Sequence, residues 1–231
     1  MWEGQLAFAG SGWRVIAPQF RGFDAAAGEP PASSVDDYAG DVIDLLDALH
    51  VKQAVVGGLS MGGYVAFALL RLAARYVQGL VLADTRSQAD TPEGMAGRRR
   101  LLQLLDDKGP SAVAEEMIPK LIGNTTQLTK PTVVDTVRSL ALASQADAIA
   151  GAIRALVSRP DSTPLLSAIH VPTLIVVGEE DTLTPPAASE EMHRAIAGSE
   201  IVRIPEAGHL SNLEQPERFN AALAAFLSHR V

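Results

Sequence analysis

The chain has 231 residues, a length typical of one domain or of one domain that carries an insertion. Hydrophobic residues make up 47% and charged residues 20%, which argues against a disordered chain, and 19 Lys and Arg against 27 Asp and Glu give a formal charge of −8. An acidic chain of this kind is not expected to bind nucleic acid or an anionic membrane, and the absence of cysteine excludes disulfides, thiolate metal sites and cysteine nucleophiles.

The sequence carries no signal for secretion or membrane insertion. Its apolar runs fall short of the roughly 18 residues that cross a bilayer. The first residues, MWEGQLAFAG, contain Glu3 but neither Lys nor Arg, unlike a secretory leader. We therefore expect a cytoplasmic protein without a membrane partner.

Five short segments rich in β-branched residues are predicted to be strands. Each ends at Gly, Pro or Asp, and they are RVIAP at 14–18, AVVGG at 54–58, LVLAD at 80–84, TLIVVG at 173–178 and EIVRIP at 200–205. Short, continuous apolar runs fit strands that are buried on both faces, as in a parallel sheet.

Helical patterns alternate with these strands. They span 35–49, 61–76, 187–197 and 216–228. Because strands that alternate with helices are joined by right-handed crossovers, the alternation indicates parallel strands. The sequence therefore predicts an α/β fold with a mostly parallel sheet of about five strands.

The segment 91–163 interrupts the alternation. It contains no convincing strand, and its helical pattern is divided by several prolines and by Gly109. We expect a cap of four short amphipathic helices over one end of the sheet, with 1–90 and 164–231 forming the core. The alternative is a long crossover connection, although one crossover needs only about a dozen residues.

The sequence GLSMGG at 58–63 matches G-x-S-x-G between a predicted strand and a predicted helix. Such a turn is sharp, so we expect Gly58 and Gly62 to be required where a Cβ would collide. Ser60 is then the predicted nucleophile, exposed at the carboxyl end of the sheet. The Met61 amide, at the helix N-terminus, is the predicted oxyanion donor. The alternative is a glycine-rich turn without chemistry.

A serine nucleophile needs a base, and the base needs an orienting acid. Among the histidines, His209 follows the last predicted strand, at the same edge of the sheet as Ser60, and is the predicted base. Asp181 follows the strand at 173–178 and is the predicted acid, with Asp84 and Glu180 as alternatives. The other histidines are expected to be solvated or capping residues, namely His50, His170, His193 and His229.

Five segments carry a resemblance that runs from near Trp2 almost to the end of the chain: WRVIAP with RGF at 21–23, GLSMGG, LVLADTR, VPTLIVVGEEDTLTPP and IPEAGHLSNLEQPERFNAALAAFL. They resemble the α/β-hydrolase superfamily, and more closely the small capped esterases and lactonases related to 3-oxoadipate enol-lactonase. The order Ser60, Asp181, His209 is the order of nucleophile, acid and base in that superfamily. The resemblance implies chemistry without a metal or cofactor, on carboxylic esters, lactones or some C–C bonds, or peracid formation in the perhydrolase branch.

The resemblance also predicts a feature that this sequence lacks. In relatives, a strand ending in His-Gly precedes the helix that begins here near Trp2, and the residue after it supplies a second oxyanion amide. Loss of one such donor is expected to lower the rate by about 10²- to 10³-fold. One explanation is that Met1 is an internal methionine of a longer chain. Gln19 and Asp24 also differ from the residues usual in relatives.

The lacking strand lies, in relatives, between those that match 14–18 and 54–58. Without it, either 14–18 pairs directly with 54–58 in a five-stranded sheet, or a row of backbone groups stays unpaired. Besides an internal Met1, the explanations are that the shortened chain folds with five strands and forms a homodimer through the new edge, or that a partner such as a second copy lends a strand.

The predicted function is hydrolysis of small esters or lactones by Ser60, His209 and Asp181. Only 5% of the residues are aromatic, which favours aliphatic or small acyl groups. Two alternatives remain: a cofactor-free perhydrolase or haloperoxidase-like activity of the same triad, and a non-catalytic protein that kept the ligand pocket.

Overall fold

The computed structural model describes residues 1–23 and 31–231, so Asp24 lies outside the described residues. One parallel sheet contains four strands in the order β1-β2-β3-β4. The strands are β1 (Ala54–Leu59), β2 (Val77–Ala83), β3 (Thr173–Gly178) and β4 (Glu200–Ile204). Because the paired strands are parallel and consecutive in the chain, every connection crosses over to the start of the next strand, and all carboxyl ends meet at one edge.

Helices fill the connections and cover the sheet. The α-helices are α1 (Glu3–Leu6), α2 (Val35–Ala48), α3 (Met61–Ala73), α4 (Pro92–Leu121), α5 (Asn124–Thr129), α6 (Pro131–Leu142), α7 (Ala146–Ser158), α8 (Pro186–Ala195), α9 (Ser211–Glu214) and α10 (Pro216–His229). The start of α2 is fixed by a capping box, in which Ser34 and Asp37 each accept a backbone amide hydrogen bond from the other residue. The predicted α/β class and parallel sheet are confirmed.

The central strands β2 and β3 are buried on both faces. Alternate residues point to opposite sides: Leu82 and Ile175 pack with Phe67 of α3 and Met192 of α8. Their neighbours on the other side pack with α10 and the end of α4, in a cluster that includes Val81, Val176, Phe219, Phe226 and Ile118. This period of two explains the continuous apolar runs in the sequence, because both sets of side chains are inside the protein.

The predicted strand at 14–18 is wrong. These residues are exposed or half-buried and have no strand assignment, so the sheet has four strands rather than about five. One edge of β1 pairs with β2, and residues 14–18 do not pair with the other edge of β1. An apolar, β-branched run becomes a strand only where a neighbouring backbone completes its hydrogen bonds, and here none of the described strands does so.

The helices α4 to α7 all lie between β2 and β3, and we refer to 91–163 as the insertion. Within α4, Gly109 has φ 79° and breaks the helical geometry, and Pro110 follows it. Among the described residues no single helix is long and apolar enough to cross a membrane, and α6 with α7 meets that length and composition only as a pair bent by 96°.

A buried ion cluster joins the two ends of the insertion. The Asp90 carboxylate, just before α4, accepts hydrogen bonds from Arg86 at 2.7 Å, from Arg159 at 2.8 Å and from Arg98. Arg159 follows α7 and stacks over the Tyr64 ring at 4.3 Å. Burial would raise the pKa of Asp90, but the hydrogen bonds and charges of Arg159 and Arg98 hold it far below its usual value.

Replacing Asp90 with Asn is expected to destabilise the protein by about 3–5 kcal/mol, because it leaves the buried Arg159 guanidinium without its ionic partner. Urea titration measures this change as a loss in the free energy of unfolding. The matched control is Asp106→Asn, which removes an exposed carboxylate of α4 and should change that free energy by less than about 0.5 kcal/mol. Equal stability of the two variants would contradict the role given to Asp90.

Candidate active site

Ser60 occupies a one-residue turn between β1 and α3. Its backbone has φ 53° and ψ −115°, a conformation that is strained for a residue with a side chain. Neighbouring backbone holds it there: the Ser60 amide donates to the Ala83 carbonyl at 2.9 Å. The Ser60 carbonyl accepts from the Gly63 amide and from the Thr85 hydroxyl, both at 2.9 Å. The turn is therefore anchored to the end of β2.

Close packing around the turn explains two of its glycines. A Cβ on Gly58 would lie 2.1 Å from the Gly62 carbonyl oxygen, and a Cβ on Gly63 would lie 2.5 Å from the Thr85 hydroxyl oxygen. The expectation that Gly62 itself is sterically required is wrong, because a Cβ there meets no atom within 4 Å. Gly62 contributes the backbone that excludes a side chain at Gly58, and Gly63 is the second position without room.

His209 lies in the loop between β4 and α9 and is 2% exposed. Its Nε2 is 2.7 Å from the Ser60 Oγ, and its Nδ1 is 2.8 Å from the Asp181 Oδ2. With a carboxylate at Nδ1, the neutral ring carries its proton on Nδ1 and leaves Nε2 to accept from the serine hydroxyl, an assignment made from the hydrogen-bond network. The structure thus brings the three predicted side chains into one hydrogen-bonded line.

Asp181 follows β3 and is 3% exposed. Its Oδ1 accepts the amides of Leu183 at 2.8 Å and Thr184 at 3.0 Å, and its Oδ2 accepts the Thr184 hydroxyl at 2.6 Å. Burial would raise the pKa of this carboxyl, but the hydrogen bond and charge of His209, together with the bonds from Thr184, outweigh burial and lower it below 3.8. Asp181 is therefore a fixed anion beside the imidazole.

The two alternative acids have other partners. Asp84, wholly buried at the end of β2, accepts the Gly178 amide at 2.8 Å and the Ser211 hydroxyl. Burial raises the pKa of Asp84 to about 7, although His209, Ser211 and Gly178 act against this shift. Glu180 accepts the amide of Thr125 at 2.8 Å and also its hydroxyl. Neither of these carboxylates is the one bonded to His209.

The other predicted residues are placed as follows. Met61 is the first residue of α3, and none of the described residues accepts its amide, as expected for a donor at a helix N-terminus. Among the other histidines, His193 bonds to Ser199 at 2.9 Å and His229 to the Ala225 carbonyl. His50 and His170 are exposed.

Sequence reasoning missed Thr184 and Glu214. Thr184 contacts both Asp181 and His209, the latter at 3.2 Å from Nδ1. A local signal existed, since an Asp with a Thr three residues later is typical of a side-chain-capped turn. Glu214 is buried and bonds to the backbone on either side of His209. Two of its partners lie in the loop before α9 and the third, Gly123, is 91 residues away, so no local sequence pattern indicates its role.

A parallel sheet that carries a serine on a sharp strand-to-helix turn, at its carboxyl edge, is the architecture of the hydrolase fold. Residues 1–222 match the model of the Alpha/beta hydrolase family, and the chain belongs to this family. The predicted resemblance is thereby confirmed.

Individual relatives are esterases and enol-lactonases. A thermophilic esterase from Thermogutta terrifontis superposes with a TM-score of 0.93 at 40% identity, covering 98% of this chain and 84% of that one. The enol-lactonase from Burkholderia xenovorans LB400 gives 0.89 at 27% identity, with 99% and 86% covered. The sequence of 3-oxoadipate enol-lactonase 1 from Acinetobacter baylyi is 30% identical over 229 residues, 98% of this chain and 83% of that protein.

Asp84→Asn is expected to stabilise the protein increasingly as the pH rises. The pKa of Asp84 is raised from 3.8 to about 7, so the native state binds a proton that the unfolded state has lost, and stability falls as the pH rises from about 4 through 7. An Asn side chain still accepts from the Gly178 amide and donates to the Ser211 hydroxyl. Because Asn does not ionise, the variant does not lose stability as the pH rises. The quantity to compare is the free energy of unfolding of Asp84→Asn minus that of wild type. This difference should be larger at high pH than at low pH by roughly 2–4 kcal/mol.

Urea titrations at about pH 5 and pH 8.5 measure this difference. The exposed Asp44→Asn of α2 is the control, and its difference from wild type should not depend on pH. A pH-independent difference for Asp84→Asn would show that Asp84 is ionised throughout.

Proposed function

We propose that the chain is a serine hydrolase that cleaves small carboxylic esters or lactones, with Ser60 as nucleophile, His209 as base and Asp181 as orienting acid. The observation that carries the proposal is the continuous line from the Ser60 Oγ through both His209 nitrogens to Asp181, with contacts of 2.7 and 2.8 Å. These are the distances over which a base takes a proton from a nucleophile.

In the first step, the Ser60 Oγ attacks the carbonyl carbon while its proton passes to His209 Nε2. The resulting imidazolium is stabilised by the ionised Asp181. Collapse of the tetrahedral intermediate expels the alcohol, which takes the proton from Nε2 and leaves an acyl-serine. Water then attacks the acyl group with the same base, and release of the carboxylic acid restores Ser60.

Negative charge on the carbonyl oxygen needs a donor during both steps. We propose the Met61 amide for this role, because it lies at the N-terminus of α3 without an acceptor among the described residues, and the dipole of this 13-residue helix favours an anion there. The donor is part of the backbone beside Ser60, so it needs no rearrangement when the substrate binds.

We also propose that the insertion is a cap, with 1–90 and 164–231 as the core, and that substrate binds between the two. The insertion meets the site directly: the Gly123 amide donates to Glu214 at 2.8 Å, and the Thr125 amide donates to Glu180, beside Asp181. The similarity to an esterase and to enol-lactonases supports small esters and lactones as substrates.

Ser60→Ala should lower the rate of p-nitrophenyl acetate hydrolysis by at least about 10⁴-fold and abolish labelling by a fluorophosphonate probe, because the variant has no nucleophilic hydroxyl.

Asp181→Asn should lower kcat for the same substrate by about 10²- to 10⁴-fold, because His209 loses the partner that fixes its protonation. His170→Ala, which changes an exposed histidine before β3, is the control and should keep wild-type rates.

Three results would lead to other assignments. A folded wild-type protein that neither labels at Ser60 nor turns over substrate would indicate a ligand-binding protein without catalysis. Bromination that depends on peroxide and acetate, and that exceeds ester hydrolysis, would indicate the perhydrolase chemistry. Wild-type hydrolysis by Ser60→Ala would exclude Ser60 as the nucleophile.

A further inference from the structure

The Glu214 carboxylate is buried and forms no salt bridge with the described residues, since the nearby Lys130 ammonium donates to the Glu214 backbone carbonyl instead, at 2.7 Å. Glu214 ends α9 and is 1% exposed. Its three hydrogen-bond donors are backbone amides: Gly208 at 2.9 Å and Leu210 at 3.1 Å on Oε1, and Gly123 at 2.8 Å on Oε2. Burying a carboxylate is costly unless hydrogen-bond donors satisfy it, and these three amides do so. The catalytic steps proposed above do not use this carboxylate.

The positions of these donors connect Glu214 to the base. Gly208 and Leu210 are the residues immediately before and after His209, so one carboxylate oxygen holds the backbone on both sides of the imidazole. The other oxygen holds Gly123, which lies between α4 and α5 of the insertion. Glu214 therefore fixes the His209 loop against the insertion.

A second carboxylate attaches the same part of the insertion to the acid loop. Glu180 precedes Asp181 and accepts both the amide and the hydroxyl of Thr125. The Glu180 amide in turn donates to the Ala207 carbonyl at 2.8 Å. We call residues 123–125 the anchor turn, because Thr125 bonds to Glu180 in the Asp181 loop, and Gly123 bonds to Glu214, which also holds the His209 loop.

The contact between the anchor turn and the His209 loop is backbone against backbone. A Cβ on Gly208 would lie 2.2 Å from the Gly123 nitrogen, and a Cβ on Gly123 would lie 2.7 Å from the Gly208 nitrogen. No flexible side chain separates the two segments, so a displacement of the turn is transmitted to the loop.

We infer that Glu214 is a positioning residue for His209, acting through the backbone amides that flank the base and through the anchor turn of the insertion. The inference rests on the proposed function, since it assumes that His209 must stay aligned between Ser60 and Asp181. An error of about 1 Å in such an alignment lowers a rate by about 10²-fold.

Glu214→Gln is the first test. A Gln side chain has one acceptor oxygen and directs an NH₂ group at a backbone N–H, so at least one of the three amides loses its acceptor. With p-nitrophenyl acetate we expect kcat per probe-titrated active site to fall roughly 10- to 100-fold, while KM changes by less than about threefold. The control is Glu217→Gln, an exposed residue of α10 that should leave both constants unchanged.

Gly123→Ala is the second variant, because it moves the anchor turn while Glu214 keeps its charge. It should reproduce the loss in kcat. The proton NMR signal of the His209 Nδ1–H bonded to Asp181 provides a readout that does not require turnover. This signal should broaden or disappear in both variants and persist in Glu217→Gln.

The outcomes separate this inference from the proposed function. A folded Glu214→Gln protein with wild-type kcat per active site and an unchanged His209 signal overturns the positioning role, even if its melting temperature is lower. If wild type does not hydrolyse esters or label at Ser60, the proposed function fails, and the His209 signal of the variants still decides whether Glu214 positions the ring.

Discussion

One steric constraint determines the geometry of the site: β1 and α3 approach so closely beside Ser60 that no side chain fits at Gly58. The Cβ of any other residue would lie 2.1 Å from the Gly62 oxygen. Because strand and helix can approach this far, a single residue joins them, and that residue takes the strained φ of 53°. Hydrogen bonds to Ala83 and Thr85 then fix Ser60 to the end of β2. The Ser60 backbone is thus held in place by contacts that do not involve His209.

Negative charge is the second organising feature of the same edge. Four carboxyl groups lie near His209, and their environments are of three kinds. Asp181 is ionised beside the imidazole, whereas burial raises the pKa of Asp84 to about 7. Glu180 and Glu214 bond to backbone amides of the insertion and of the His209 loop. These carboxyl groups therefore connect the ring and its backbone to the surrounding loops.

Local sequence patterns were enough to predict the features that depend on residues adjacent in the chain. The apolar runs that form β1 to β4 and the turn around Ser60 could be located because composition and glycine spacing are local properties. The run at 14–18 has similar composition but forms no strand, since a strand also needs a backbone partner that composition does not reveal. Glu214 was missed for a related reason: its partner Gly123 is 91 residues away in the chain.

Besides the apolar packing of α4 against the core, the insertion has polar attachments that include the ion cluster of Asp90 at its ends and the anchor turn in its middle. Rotation of the insertion as one rigid body would have to break these polar attachments together, and each of them involves a buried carboxylate. Between these attachments Gly109, where φ is 79°, divides α4 into two rods, so the direction of the chain changes inside the insertion while its ends and its middle are held.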